Sequence, residues 1–403
     1  LKCGGTPLSP FFFMQQRQTI TVNNRGAERI KKGHLWIYRS DIKNTKQCKG
    51  GAVVSVVDER NRFVGKAFYS DRSEIALRFL TTKDEPIDRQ WWRRKFLEAA
   101  QRRADYKQNT NAYRLINSEG DLMSSLIVDV YDGVFVIQTL SQGAESLLPL
   151  FVDLLKEEFQ PRAIIERNDV KVRELEGLEL RTSTLFGDVP DEIVIEQDGV
   201  KFFVSPLSGQ KTGSFLDQRE NHFAVCELAR GRALDCFTFN GGFALNLAKS
   251  CESVVAIDIS DEAIALAKRN AELNQTTNIT FQTANVFDAL REFEKKGERF
   301  DTIVLDPPAF AKNRASVKAA LRGYKEINLR ALKLLNKNGL LVSCSCSYHA
   351  TEDLFLSVIE EAANDAGRRV QLVEKRTQSR DHPILLCVPE TYYLKCIVLK
   401  VME

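Results

Sequence analysis

From about residue 200 onward, short apolar runs alternate with helix-length amphipathic segments, and this rhythm constrains the fold of the 403-residue chain more than any other feature. "RALDCFTF" reads as a short buried strand and "NGGFALNLAKS" as a glycine turn opening a helix. "SVVAIDIS", "ITFQTAN", "FDTIVLDPP" and "GLLVSCSCS" repeat the strand pattern. Helices are expected between them over "DEAIALAKRNAELN", around 289–296 and over "GYKEINLRALKLL". Strands separated by helices of ten or more residues predict βαβ units and a parallel sheet.

The chain is too long for one core. Upstream, "AVVSVVDERNRFVGKAFYS" and "EIALRFLT" read as strands broken by turn residues, so 17–88 is expected to be a small β-rich domain. "DRQWWRRKFLEAAQRRADYK" has Trp92, Phe96, Ala99 and Ala100 at helical spacing. "SSLIVDVYDGVFVIQTLS" reads as a hairpin turning at Asp132-Gly133, followed by a helix over 144–159 and a strand in "RAIIERND". An α+β middle domain is therefore expected over 89–197 and an α/β domain over 198–403. Residues 1–16 are read as a leader, disordered or non-native, because Met14 opens a more ordinary start than "LKCGGTPLSPFFF" does.

A formal net charge of +3 neither demands nor forbids a nucleic-acid partner, since a basic face fits on a near-neutral protein. No apolar run approaches bilayer length, and the first residues lack the charged and apolar regions of a signal peptide, so no membrane partner is expected. The nine cysteines are scattered and form no C-x-x-C pair, which argues against a zinc ribbon or other metal site and for free thiols in a cytoplasmic setting.

Ligands of an open parallel sheet bind beyond the carboxyl ends of its strands. Four positions fall there. "DCFTFNGGF", Asp235 to Phe243, offers Gly241 and Gly242 for close backbone approach. It is not G-x-G-x-x-G, which disfavours a dinucleotide. Asp258 ends the next strand and has two oxygens for ribose hydroxyls. Asn285 with Val286 and Phe287 suits the edge and face of an adenine, and "DPPAF", Asp306 to Phe310, stops the fourth strand in a rigid loop. Together they describe an adenosine ligand, and S-adenosylmethionine fits better than ATP because there is no P-loop.

Cys346 would stand on the same rim. A thiolate beside a sulfonium donor suggests addition to carbon 6 of a cytosine, which makes carbon 5 nucleophilic. The competing reading is that Cys346 packs as a small apolar residue. For Cys344, packing is the preferred reading. His349 and His382 are read as structural, and Trp92 and Phe96 as core, although "WWRRKF" would also suit stacked bases.

"DCFTFNGGFA", "DQRENH", "VLDPPAF", "GYKEIN", "SCSCS" and "DHP" resemble the bacterial class I methyltransferases that make 5-methylcytosine in large-subunit ribosomal RNA. "KKGHLWIYRSDI" is similar to that family's PUA domain, a small RNA-binding β-barrel. The resemblance implies a PUA domain, an α+β middle domain and a Rossmann-like methyltransferase domain. It places the nucleophile on Cys346 and the cofactor loop on Asp235, Phe237, Asn240, Gly241 and Gly242. The ribose contact falls on Asp258 beside Ile259, and the adenine contact on Asn285 and Val286, where related enzymes usually carry Asp. Gln218 and Arg219 of "FLDQR" resemble a stretch that approaches the cofactor.

Other RNA cytosine-5 methyltransferases carry a second cysteine directly after the strand-four proline. Here that residue is Ala309, so Asp306 is the candidate for proton transfer as well as a cofactor neighbour. Pro307, Pro308, Phe310, Lys211 and Arg322 are expected to face RNA.

The expected function is S-adenosylmethionine-dependent methyl transfer to carbon 5 of a ribosomal cytosine, drawn out of its stack to reach Cys346. The alternatives are an exocyclic-amine RNA methyltransferase using the Asp-Pro-Pro loop, and an RNA-binding assembly factor with a vestigial pocket. Oligomeric state is left open, a homodimer included.

Overall fold

The computed structural model describes residues 18–45, 47–209, 212–311 and 314–402. The expected leader over 1–16 and Lys211 lie outside them. The N-terminal unit is a six-stranded sheet with the order Trp36–Tyr38, Ile75–Thr81, Phe63–Tyr69, Val53–Val57, Thr19–Val22, Ile42–Asn44. It also holds a helix, Asn24–Lys31, absent from the β-rich expectation. This helix buries only Gly26, Ala27 and Ile30, too little for a periodic signal, and Asn23 caps it by accepting from the Gly26 amide.

The middle unit is a five-stranded sheet ordered Arg181–Gly187, Ala163–Asn168, Val134–Thr139, Leu126–Tyr131, Ala112–Asn117. Asp132 and Gly133 both take positive φ at the expected hairpin turn, which splays the strands least. Trp92, Phe96 and Phe151 fill its core, so the aromatic residues of "WWRRKF" are packing residues. The helix expected over 144–159 is two, Gln142–Ser146 and Leu148–Phe159. Pro149 lacks an amide proton and fits only a first turn, so the helix restarts at it.

The strands Ile193–Gln197 and Val200–Val204 form one hairpin whose turn spans the boundary expected between 197 and 198. Its backbone is pinned by Asn270 and Asn274, which accept from the amides of Phe203 and Lys201.

The C-terminal sheet has seven strands, numbered here in chain order: β1 Arg232–Cys236, β2 Ser253–Asp258, β3 Ile279–Thr283, β4 Phe300–Leu305, β5 Leu335–Ser345, β6 Val370–Arg376 and β7 Lys395–Val401. Their helices are α1 Arg219–Leu228, α2 Gly242–Leu247, α3 Asp261–Leu273, α4 Val286–Lys296, α5 Val317–Leu334 and α6 Glu352–Asp365. The spatial order is β3-β2-β1-β4-β5-β7-β6, with β1 to β5 parallel and β7 antiparallel between β5 and β6.

Helices cover both faces, which is why these strands read as near-continuous apolar runs. The chain leaves β1 toward β2 and later returns on its other side as β4. That reversal opens a crevice at the carboxyl ends of β1 and β4.

The middle and C-terminal units are joined by buried polar contacts. Arg103 bonds both oxygens of Asp121 at 2.6 Å and donates to the Asp381 carbonyl at 2.7 Å. The Asp381 carboxylate accepts from the Arg114 amide at 2.9 Å and pairs with His382 at 2.8 Å. His382 thus serves docking. No helix among the described residues is long and apolar enough to cross a membrane.

Candidate active site

The crevice is a cleft of about 550 Å³. Its walls include Phe237, Asn240 and Gly242 after β1, Asp258 and Ile259 after β2, Asn285 and Val286 after β3, Asp306, Pro307 and Pro308 after β4, and Cys346 after β5. Five strand ends thus bring together residues more than a hundred positions apart.

The loop after β1 is strained. Phe237 and Phe239 take φ of 66° and 49°, a region that costs a non-glycine residue roughly 1–3 kcal/mol. Asp258 holds it there: Oδ2 accepts from the Phe239 amide at 2.9 Å and Oδ1 from the Ser260 amide at 3.0 Å. Each oxygen keeps a further lone pair for a hydroxyl in the cleft. Gly241 takes φ of 87°, and a Cβ on Gly242 would sit 2.6 Å from the His222 ring. Both glycines are therefore required, the first by backbone conformation and the second by His222.

His222 was not anticipated from sequence. Its ring lines the cleft and packs edge-on to Phe243 at 4.5 Å, and burial lowers its pKa to about 4, so it is neutral. Phe215, Asp217 and Tyr393 also line the cleft unannounced. Tyr393 donates to Asp217 at 2.8 Å, and burial followed by that carboxylate pushes the phenol well above its ordinary range.

Two expected cofactor contacts stand elsewhere. Asp235 is fully buried beneath the loop, accepting from the Thr238 hydroxyl at 2.6 Å and the Ala244 amide at 2.9 Å. Burial raises its pKa to about 7, and Asp306 and Asp258 add to the rise. It supports the loop from behind because its strand end points into the domain. Arg219 is buried away from the cleft, with its guanidinium 3.8 Å from Asp198 and 3.7 Å from Glu220. Helix α1 directs it toward the 193–204 hairpin turn. Its neighbour Gln218 does line the cleft, donating to Asp306 Oδ1 at 2.9 Å while Asn221 donates to its oxygen at 2.7 Å.

Asn285 caps α4, accepting from the Phe287 amide at 2.9 Å. Its oxygen is thereby engaged, and its amide group is the part with donors to offer. Among the residues expected to meet RNA, Pro308 is exposed at the cleft. Phe310 instead packs against Tyr324 at 4.8 Å and Phe287 at 6.2 Å, so it supports the loop from below. Arg322 is exposed on α5, off the cleft wall.

The two clustered cysteines differ sharply. Cys344 lies within β5, fully buried, opposite Cys396 of β7, and that thiol together with burial raises its pKa well above normal. Strand β5 ends at Ser345, so Cys346 leaves the ladder half-buried, with Sγ 3.9 Å from the Pro307 carbonyl. The alternating serines fix this corner. The Tyr324 hydroxyl meets Ser345 Oγ at 2.9 Å and Ser347 Oγ at 3.1 Å, and Ser347 Oγ accepts from the Ala311 amide at 3.1 Å. His349 is off the cleft wall.

Comparison with known proteins agrees with this architecture. Residues 20–82 match the PUA-like domain family and residues 229–385 a methyltransferase domain family. A ribosomal RNA large subunit methyltransferase I of Tolumonas auensis is 40% identical over 392 residues, covering 95% of this chain and 99% of that protein. The protein of the same name from Pseudoalteromonas atlantica is 38% identical over 391 residues, with 95% and 99% covered. A Streptococcus mutans protein assigned as a SAM-dependent methyltransferase shares the fold with a TM-score of 0.81 at 20% identity, covering 95% of this chain and all (100%) of that one. Near full-length identity to these relatives, on a two-part match to PUA-like and methyltransferase domains, shows that the chain belongs to the ribosomal RNA large subunit methyltransferase I family.

Proposed function

We propose that the chain methylates carbon 5 of a cytosine in large-subunit ribosomal RNA, using S-adenosylmethionine and a covalent bond from Cys346. The observation that carries this reading is the placement of a half-buried thiol on the wall of the cleft that also holds Asp258 and Asp306. A packing cysteine would look like Cys344, sealed in the sheet.

The residues present fit the cofactor. Asp258 has lone pairs to spare for a ribose, and Ile259, 69% exposed beside it, is an apolar surface that a purine face would cover. Asn285 and Val286 stand where the purine edge would be met. S-adenosylmethionine, when bound, supplies a methyl group on a positively charged sulfur to a nucleophilic carbon.

Cys346 makes that carbon. Addition of its thiolate to carbon 6 of cytosine forms a carbon–sulfur bond and moves an electron pair toward carbon 5. Once carbon 5 is methylated, it must lose its proton so that the electron pair returns, the carbon–sulfur bond breaks and the thiolate leaves. Asp306 is the group for this proton, a carboxylate whose orientation is set by Gln218 and, through it, Asn221. The PUA-like unit would hold flanking RNA.

The test uses RNA substituted with 5-fluorocytidine, which cannot release fluorine as a cation and so traps the adduct. A denaturation-resistant protein–RNA band that needs S-adenosylmethionine and is lost in Cys346→Ala supports the proposal. Absence of the band, with full methylation by the variant, would overturn it, and a product methylated on the exocyclic amine would identify the alternative chemistry.

A further inference from the structure

Next to the segment that carries Cys346 lies a buried lysine that the reaction above does not use. Lys395 opens β7 and is 2% exposed. Its ammonium donates to the carbonyl of Ser347, the residue following Cys346, at 2.7 Å, and to the carbonyl of Tyr393, a cleft residue, at 3.0 Å. Lys395 is paired in the ladder with Ser345, the residue preceding Cys346. The lysine therefore grips the turn that carries the thiol from both sides in sequence.

Packing alone does not call for a charge here. A buried ammonium is costly unless something negative answers it, and two neutral carbonyls answer it only in part. Burial draws Lys395 down to about 8, while charge on Cys346, then on Glu352, acts in the opposite sense. Glu352 is already engaged by Lys375 and by the Tyr392 hydroxyl, each at 2.7 Å.

The thiol also needs a cation. The Pro307 carbonyl accepts its S–H at 3.9 Å, which favours the protonated form. Asp306 stands on the wall of the same cleft, where a carboxylate disfavours a second anion. Tyr324 of α5 and Tyr393 are neutral at physiological pH, their phenols both raised chiefly by burial. Without a positive charge, this corner would keep Cys346 protonated and inert.

We propose that Lys395 is the positioning residue that holds Cys346 as a thiolate, its ammonium serving as a fixed counter-ion anchored on the Ser347 carbonyl beside the thiol. The proton leaves Cys346 for solvent, since the ammonium is already protonated, and no redox partner is involved. A nearby cation typically lowers a partner's pKa by one to three units from the ordinary thiol value of about 8.5. The inference rests on Cys346 being the nucleophile, but its test needs no RNA.

The experiment follows iodoacetamide alkylation of Cys346 against pH in the full-length protein, read by peptide mass spectrometry so that other cysteines do not interfere. In the unsubstituted protein the midpoint should lie below about 8. Lys395→Met, similar in volume but uncharged, should raise it by about one unit and slow alkylation at pH 7 about tenfold, while Lys395→Arg should restore most of the rate.

A merely structural lysine would lower thermal stability without moving the midpoint, and that outcome overturns the proposal. So does a midpoint at or above 8.5 in the unsubstituted protein, a measurement that stands even if Lys395→Met does not fold. Failure of the fluorocytidine adduct with a lowered, lysine-dependent midpoint would instead remove the cytosine reading and leave the ion pair intact.

Discussion

Replacing Asp258 with Asn tests how the strained loop and the proposed cofactor site depend on one another. The carboxylate accepts from two backbone amides, at 2.9 and 3.0 Å. Bonds to a charged acceptor are worth about 1.5–3 kcal/mol each. Only the Phe239 bond ties down the loop after β1, since Ser260 follows Asp258 in its own segment; the strain at Phe237 and Phe239 is about 1–3 kcal/mol each, so the restraint does not exceed the strain and the loop is held with little margin. An Asn side chain can accept one amide but must turn an NH2 group toward the other, setting donor against donor. The loss is then about 2–3 kcal/mol, enough to let the loop relax when the cleft is empty.

Binding must restore the loop, so the deficit appears as affinity, roughly 30- to 150-fold weaker. Calorimetric titration with S-adenosylhomocysteine measures this, and a parallel urea melt checks the fold. Affinity within threefold of the unsubstituted protein, or a loss of stability with no loss of affinity, would refute the reasoning.

Further outcomes concern the buried groups near the cleft. Asp235, raised to about 7, contributes stability that is full below about pH 4 and is lost as pH rises through 7, whereas His222, lowered to about 4, contributes stability that is full above about pH 6.5 and is lost as pH falls through 4. These opposed slopes, each about 3–4 kcal/mol across the window at most, largely cancel. Urea melts from pH 4 to 7 should show Asp235→Asn losing stability toward acid and His222→Gln losing it toward neutrality. Cys344→Ala should cost about 1 kcal/mol in the same melts and keep the fluorocytidine adduct, because its thiol is sealed within β5 against Cys396 and off the cleft wall.

The strand–helix rhythm was legible because it is a local property of the chain, and the five strand ends that line the cleft follow from it. What decided between the two cysteines was not local. Simple alternation puts Cys344 and Cys346 on one face, but β7 arrives from fifty residues downstream and places Cys396 beside Cys344, while the strand ends before Cys346.

Arg219 and Gln218 are adjacent in "FLDQR", yet only Gln218 reaches the cleft, since the helix starting at Arg219 turns the guanidinium toward Asp198. His222 carried one signal, the missing Cβ of Gly242, but that signal has meaning only once α1 lies against the loop. Lys395 gave none, because a lone lysine beginning an apolar strand looks like a solvent-facing end.

The insertion of β7 between β5 and β6 bears on synthesis at the ribosome. Both flanking strands emerge first and cannot pair with each other in the finished arrangement, so a nascent chain carries two open hydrogen-bonding edges until residues through Val401 clear the exit tunnel. Lys395 reaches the Ser347 carbonyl beside the thiol only once β7 is in place. A chain made only as far as β6 therefore has the five strand ends of the cleft but not Tyr393, Leu394 or the lysine that follows them, and on the proposal above its thiol would still be without a counter-charge.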